Sequence, residues 1–258
     1  MMHHEGEENL IDNQLYQYIR SVELNIEGVE DLDRYPFCLD AVLRLQKLVL
    51  HPNVTFIIGE NGSGKSTLLE AIAVAAGFNP EGGSKHFNFS TKDTHSVLAN
   101  YVKMTKGVKM PQDGFFLRAE SFYNVASHVD DLDEGTTSLL DAYGGKSLHE
   151  QSHGESFMSL MINRFRGNGL YILDEPEAAL SPTRQFALLT RLHALVKADS
   201  QFIISTHSPI LLAYPHSIIY HIDNAYHETA YVDSEYYQLY KMFLENPERM
   251  LTHLLEEE

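Results

Sequence analysis

Gly59-Glu60-Asn61-Gly62-Ser63-Gly64-Lys65-Ser66-Thr67 decides how this chain is read. A glycine, four residues and then Gly-Lys-Ser is the spacing of a loop that cradles phosphates. Glycines let successive backbone N–H groups curl around an anion without side-chain clashes. Lys65 supplies a point charge for the outer phosphates, and the Ser66 hydroxyl suits Mg²⁺. Asn61, Gly62, Ser63, Gly64 and Thr67 complete the expected cradle. The flanks agree. Val54 to Ile58 reads as a buried strand entering the loop. Leu68, Leu69, Ile72, Ala73 and Ala76 form the apolar stripe of a helix leaving it, and Gly77 suits its end. Such a helix aims its positive N-terminus at the phosphates.

Three further apolar runs end in polar residues. Phe115 to Ala119 leads to Glu120, Leu170 to Leu173 leads to Asp174-Glu175, and Gln201 to Thr206 leads to His207. In an open α/β sheet, ligands sit at the carboxyl ends of the strands. Asp174 is therefore expected to hold Mg²⁺, directly or through water. Glu175 is expected to take a proton from the water that attacks a γ-phosphate, and His207 to hydrogen-bond that phosphate.

The remaining chain supplies the frame. Tyr18 to Ile26 has strand character, and Leu39 to Leu50 reads either as a helix or as a helix followed by a strand. Asn79 to Ser84 is a loop, and Val97 to Met104 reads as helical. Lys103, Lys106 and Lys109 are the most basic run, read as a solvated face or as a docking patch for an anionic partner. Asp130, Asp131, Asp133 and Glu134 lack the ligand spacing of a calcium loop and read as a solvated turn. Ser152-His153-Gly154-Glu155-Ser156 opens a helix through Phe157, Leu160, Met161 and Phe165. Ser181 and Pro182 start another, with Phe186, Leu189, Leu192 and Val196 as its buried face. A strand near Ser217 to Ile222 and two helices split by Pro247 follow. Strands alternating with helices predict an α/β fold: a mostly parallel central sheet with flanking helices and an antiparallel N-terminal β part. Residues 1–258 read as one domain, with 1–14 mobile.

Composition bounds the function. A chain of 258 residues can bury a sizeable core. A net charge of −17 argues against a surface that binds nucleic acid everywhere. Cys38 is the only cysteine, which suits a reducing cytoplasm. No apolar run is long enough for direct membrane insertion, and Met1 to Glu8 lacks a signal-peptide core.

These residues together resemble the ABC-type ATPases. Lys65-Ser66 matches Walker A, Leu170 to Glu175 matches Walker B with its catalytic glutamate, and His207 matches the switch histidine. Ser152 to Glu155 lies where that family carries its signature, and Ala179-Leu180-Ser181 follows as a D-loop would. The wording Asp174-Glu175-Pro176-Glu177-Ala178-Ala179-Leu180 is similar to the Rad50, SMC, RecF and OLD branch, although no heptad run for a coiled-coil arm is present. The nearest likeness is to small stand-alone bacterial ATPases of that branch. The resemblance implies a P-loop NTPase that hydrolyses ATP to ADP and phosphate with Mg²⁺, and catalytic roles for Lys65, Glu175 and His207. It also implies an ATP-dependent homodimer in which Ser152 and Gly154 contact the nucleotide on the other subunit. The chain departs from the family pattern at three positions. Glu120 stands where a Q-loop glutamine is expected and is a candidate metal ligand beside Ser66 and Asp174; His153 replaces a signature glycine; Pro182 replaces the D-loop aspartate. Tyr35 and Phe37 are the aromatic candidates near the adenine.

Four other readings compete. His149-Glu150-Gln151-Ser152-His153 matches the HExxH wording of zinc proteases, which needs both histidines on one helical face. A transporter ATPase subunit, a low-turnover nucleotide switch, and a DNA-repair or defence ATPase with a DNA or protein partner share the same loop.

Overall fold

The computed structural model describes residues 17–84, 97–118, 153–223 and 225–255. In chain order these form β1 (Ile19–Leu24), α1 (Asp40–Leu43), β2 (Lys47–Val49), β3 (Val54–Gly59) and α2 (Lys65–Ala75). There follow β4 (Val102–Lys106), β5 (Asp113–Arg118), α3 (His153–Asn163), β6 (Gly169–Asp174) and α4 (Pro182–Lys197). The chain closes with β7 (Gln201–Ser205), α5 (Pro209–Leu212), β8 (Ile218–Ile222), β9 (Tyr226–Glu228), α6 (Glu235–Glu245) and α7 (Pro247–Leu255).

The main sheet has the order β5-β6-β7-β3-β8-β9. All its pairs are parallel except β8 with β9. The central strands are buried on both faces, as parallel sheets require, and alternate residues serve different layers. Phe56, Ile58, Phe115, Leu117, Tyr171, Leu173, Phe202 and Ile204 pack with α3, α4 and α5. Ile57, Phe116, Ile172 and Ile203 pack with α2 and β1. A smaller antiparallel sheet, β2-β1-β4, covers that second layer. Gln201 staples the two sheets together. Its amide donates to the Ile19 and His51 carbonyls at 2.8 and 3.0 Å, and accepts from the Tyr18 and Ile19 N–H groups at 3.2 and 2.9 Å. A fully buried amide is tolerable here because all its hydrogen-bonding capacity is used.

The predicted fold class stands, with local corrections. Leu39 to Leu50 resolves into α1 and β2. Val97 to Met104 is not one helix: Val97–Tyr101 is a 3₁₀ turn, and β4 begins at Val102. Leu98 alone is buried in that turn, too little to hold a longer helix. The buried face of α4 is Gln185, Leu188, Leu192 and Leu195, rotated from the expected stripe; Leu189 and Val196 are half-buried and Phe186 is 58% exposed. Gln185 takes the inner position because its amide is satisfied there, donating to the Leu180 carbonyl at 3.1 Å and accepting from Ser208 Oγ at 2.6 Å. Strand β9 was not anticipated. Lys109 meets Asp199 at 3.2 Å, whereas Lys103 and Lys106 lie exposed on β4.

Candidate active site

The phosphate loop leaves β3 with left-handed backbone at Gly62 (φ 84°) and Gly64 (φ 96°). At Gly64 a side chain is disfavoured twice over: by φ, and because a Cβ would crowd Leu39 Cβ at 3.0 Å. The loop is braced on α1, where the Ala41 N–H donates to the Ser63 carbonyl at 2.9 Å. Helix α2 then stacks Leu68, Leu69, Ile72 and Ala73 into the core. It ends as the sequence predicts. Gly77 (φ 93°) donates to Val74 and Phe78 donates to Ala73, each at 2.9 Å, which satisfies carbonyls of the last turn.

Lys65 is 3% exposed, and its ammonium donates to the Gly59 and Glu60 carbonyls at 2.8 Å each. Burial lowers its pKa, while Glu175, Asp174, Glu177 and Glu235 oppose that shift. Ser66 Oγ donates to Asp174 Oδ1 at 3.1 Å, joining the loop to the end of β6. Ser205, at the end of β7, donates to the same oxygen at 2.6 Å. Arg118, at the end of β5, stands 3.7 Å from Asp174 Oδ2 and 2.7 Å from Glu70 on α2. Burial raises the pKa of Asp174 against the pull of Ser205, Arg118 and Ser66.

Glu175 leaves the strand in left-handed backbone, φ 48°, with its N–H held by Ser205 at 3.1 Å. A non-glycine residue there stores strain, a feature concentrated at functional sites. The turn aims its Oε1 at His207 Nε2, 3.1 Å away. On the far side of the ring, His207 Nδ1 lies 2.5 Å from the Tyr236 hydroxyl, which donates to the Gly59 carbonyl at 2.9 Å. Burial pushes the Tyr236 hydroxyl up to about 12, so it stays protonated at neutral pH. Its single proton gives two arrangements. Donation to Gly59 leaves Nδ1 as the donor to tyrosine, so Glu175 and His207 must share one more proton. Donation to Nδ1 makes Nε2–H the donor to an anionic Glu175. Glu177 closes the cluster, its Oε1 accepting from the His207 N–H, and burial raises its pKa.

Asn61, Gly62, Ser63, Gly64, Lys65, Ser66, Thr67, Asp174, Glu175 and His207 are thus gathered at the carboxyl ends of β3, β6 and β7. Gly154 is buried, and a Cβ on it would meet Arg184 Nη1 at 2.3 Å and the Ala179 carbonyl at 2.9 Å. What it does within this chain is pack α3 closely onto the turn after β6. Glu120 and Ser152 lie outside the described residues, as does the HExxH stretch except His153, the first residue of α3. Phe37 is buried edge-on against Tyr101, while Tyr35 is 67% exposed with its hydroxyl 3.3 Å from Thr67 Oγ1. Sequence reasoning missed Ser205, Arg118, Glu177 and Tyr236. Ser205 had a signal, since it ends an apolar strand two residues before His207. Tyr236 had none.

The donor set fits a magnesium nucleotide. Gly62 leaves open space beside the cradle, and Ser63 Oγ is buried without a partner among the described residues. The oxygens of Ser66, Asp174 and Ser205 converge where burial already opposes a bare charge. Hard oxygen ligands of this kind suit Mg²⁺.

Parts of this chain are similar to known proteins. A family model described as an AAA domain matches residues 37–127. Another, described as an AAA domain, putative AbiEii toxin, type IV TA system, matches residues 134–213. An ABC transporter G family member of Medicago truncatula is 29% identical over 189 residues, covering 64% of this chain and 25% of that protein. An ABC transporter ATP-binding/permease protein of Mycobacterium tuberculosis is 27% identical over 223 residues, covering 78% of this chain and 24% of that protein. The chain thus spans about a quarter of the length of the curated relatives it matches. Among solved structures, cbiO1 from Clostridium perfringens aligns with a TM-score of 0.49 and 17% identity, over 93% of this chain and 100% of that one. The SMC head domain from Thermotoga maritima aligns with a TM-score of 0.44 and 15% identity, over 83% and 99%. One family model lies across the phosphate loop and the other across the acidic strand end and the histidine, so on both sides of the site the chain is similar to ATPase domains of the AAA and ABC type.

Proposed function

We propose that this chain binds MgATP in the Gly59–Thr67 loop and hydrolyses it within a head-to-tail homodimer. The observation that carries the reading is the convergence of Lys65, Asp174, Glu175 and His207 at three neighbouring strand ends. Loop amides and the start of α2 hold the phosphates. Lys65 turns from the Gly59 and Glu60 carbonyls toward the β,γ-bridge. Ser66 and Asp174 are the residues that would hold Mg²⁺, which would supply positive charge to neutralise the phosphates. Glu175 orients the attacking water and accepts its proton. His207, 3.1 Å from Glu175, holds that carboxylate in place beside the water. Catalysis is then mainly positioning and charge stabilisation.

In the dimer, Ser152 and the N-terminus of α3 face the nucleotide on the other subunit. Arg184, which pairs with Glu155 at 3.2 Å and covers Gly154, swings aside as the partner docks. The work driven by this cycle is that of the Rad50, SMC, RecF and OLD branch, in a defence system with a protein or DNA partner in the cytoplasm. The toxin-system description of the model matching residues 134–213 supports that direction. The test is the molar mass of Glu175→Gln with and without MgATP. An ATP-induced dimer is expected. A variant that binds ATP but stays monomeric at every accessible concentration sinks the dimer mechanism.

A transporter ATPase is the second reading, favoured by the curated matches to ABC transporters. No helix among the described residues is long and apolar enough to cross a membrane, so this reading needs a separate membrane component. ATPase activity stimulated by a co-purifying membrane protein would decide for it.

A further inference from the structure

The β8–β9 hairpin carries a cluster of metal-ligating side chains outside the phosphate site. His221 and His227 are directly opposed across the antiparallel pair, with ring centroids 5.1 Å apart. Asp223 follows His221 by two residues, just past the end of β8. Its Oδ1 is 3.6 Å from His227 Nδ1 and also accepts from the Ala225 N–H at 3.0 Å. One donor atom from each of the three side chains lies within 4.8 Å of the others. From outside the hairpin, Glu235 at the start of α6 brings Oε2 to 3.8 Å from His221 Nε2.

We propose that this cluster binds a divalent transition-metal ion of the zinc class. Two imidazoles and a carboxylate are a zinc-type donor set, whereas Mg²⁺ and Ca²⁺ prefer all-oxygen shells. In a tetrahedron with bonds of about 2.1 Å, donors stand about 3.4 Å apart. The observed spacing closes to that value by side-chain rotation. His227 and Asp223 have the freedom for it, being 47% and 48% exposed. His221 is only 15% exposed and provides the fixed end. Glu235 supplies either a fourth ligand or the carboxylate that orients the His221 ring. Two neutral imidazoles with two carboxylates balance the charge of one dication.

The location gives the ion a structural consequence. In the β3–β8 register His221 lies opposite Ile58, and Ile222 opposite Gly59, the first glycine of the phosphate loop. Glu235 immediately precedes Tyr236, whose hydroxyl reaches the Gly59 carbonyl. A bound ion ties the hairpin to the start of α6 on both sides of that contact.

The test uses the full chain purified without a polyhistidine tag, stripped with chelator and free of nucleotide, so its outcome is independent of the ATPase reading. His3, His4, His149 and His153 are replaced by alanine in the background, removing the terminal pair and the HExxH histidines. Zn²⁺ is titrated by calorimetry, and Co²⁺ by its visible absorption. The expected result is one ion per chain, weakened at least tenfold by His221→Ala or His227→Ala, and severalfold by Asp223→Asn or Glu235→Gln. Thermal melts confirm that each variant is folded, and the two milder carboxylate variants keep the test open if a histidine variant is not. Binding of well under one equivalent, or binding unchanged in the folded variants, overturns the proposal.

Discussion

The phosphate loop and the carboxylate–histidine cluster meet at the same strand ends but are built differently. The loop is one contiguous stretch whose cradle is shaped by backbone, with left-handed φ at Gly62 and Gly64, and to which Lys65 and Ser66 add their side chains. The cluster depends mainly on side chains, drawn from three separated stretches: Asp174 to Glu177, Ser205 to His207, and Tyr236. A backbone site fails when its conformation is disturbed. A side-chain network fails one function at a time. Substitutions in the two regions should therefore separate nucleotide binding from turnover.

The largest expected effect is on turnover. Glu175→Gln keeps the shape of the side chain and removes the base. We expect kcat to fall by about 10³-fold, within the range for general-base catalysis, with ATP affinity unchanged or tighter. Steady-state rates together with nucleotide-binding titrations check this. Equal losses in kcat and affinity would erase the distinction between the regions.

Gly64→Ala attacks the other side of the comparison. It places a Cβ at φ 96°, 3.0 Å from Leu39 Cβ and 3.2 Å from Ala41 Cβ. The loop must leave its cradle conformation, at a cost of about 1–3 kcal/mol. That corresponds to a loss of about 5–150-fold in ATP affinity, read by titration of a fluorescent nucleotide, with the fold intact by circular dichroism.

The same contrast explains what could be read in the sequence. The Gly59–Thr67 loop was legible because a local backbone conformation leaves a local residue pattern. Asp174, Glu175 and His207 were legible because each ends an apolar run, and parallel strands bring their carboxyl ends together. Tyr236 was not, since it is an ordinary tyrosine in the first turn of a distant helix and only the packing of α6 brings it to Gly59. The face of α4 was misread for a related reason. Hydrophobicity favoured Phe186, but hydrogen bonds from Gln185 to Leu180 and from Ser208 to Gln185 fixed the rotation of the helix. Tertiary polar contacts leave no periodic signature.

Tyr236→Phe therefore tests the part that only the structure reveals. It removes the partner of His207 Nδ1 and a donor to Gly59 while preserving the ring. Losing one such hydrogen bond, about 1–1.5 kcal/mol, corresponds to about tenfold in kcat. ATP affinity should change less than kcat, because the substitution removes none of the groups placed on the phosphates, Lys65, Ser66 and the loop amides. The pH profile of kcat should also move, since the hydroxyl proton no longer determines which nitrogen of His207 is protonated. A drop in kcat with an unchanged profile would reduce Tyr236 to packing.

The smallest effect is on stability, and it has the opposite sign from the effects on function. Burial raises the pKa of Asp174, so in the absence of metal the folded state binds its proton more readily than the unfolded chain does. Its contribution to stability is therefore greatest at low pH. It falls as pH climbs from the ordinary carboxylate value through the raised one, because the unfolded state then binds fewer protons. Asp174→Asn removes that ionisation and keeps a group that can accept from Ser66 and Ser205. At pH 7 without Mg²⁺ the variant should be more stable by about 1 kcal/mol, seen as a rise of about 2–4 °C in Tm. Adding MgATP should reverse the order. The wild type gains stability by ligand binding, whereas the variant, lacking the anionic ligand, gains much less. Calorimetric scans of both proteins with and without MgATP measure the crossover. If Asp174→Asn were destabilising without the nucleotide, the buried carboxylate would be a structural anchor. The strand end would then resemble the phosphate loop, built for its own conformation first and for its ligand second.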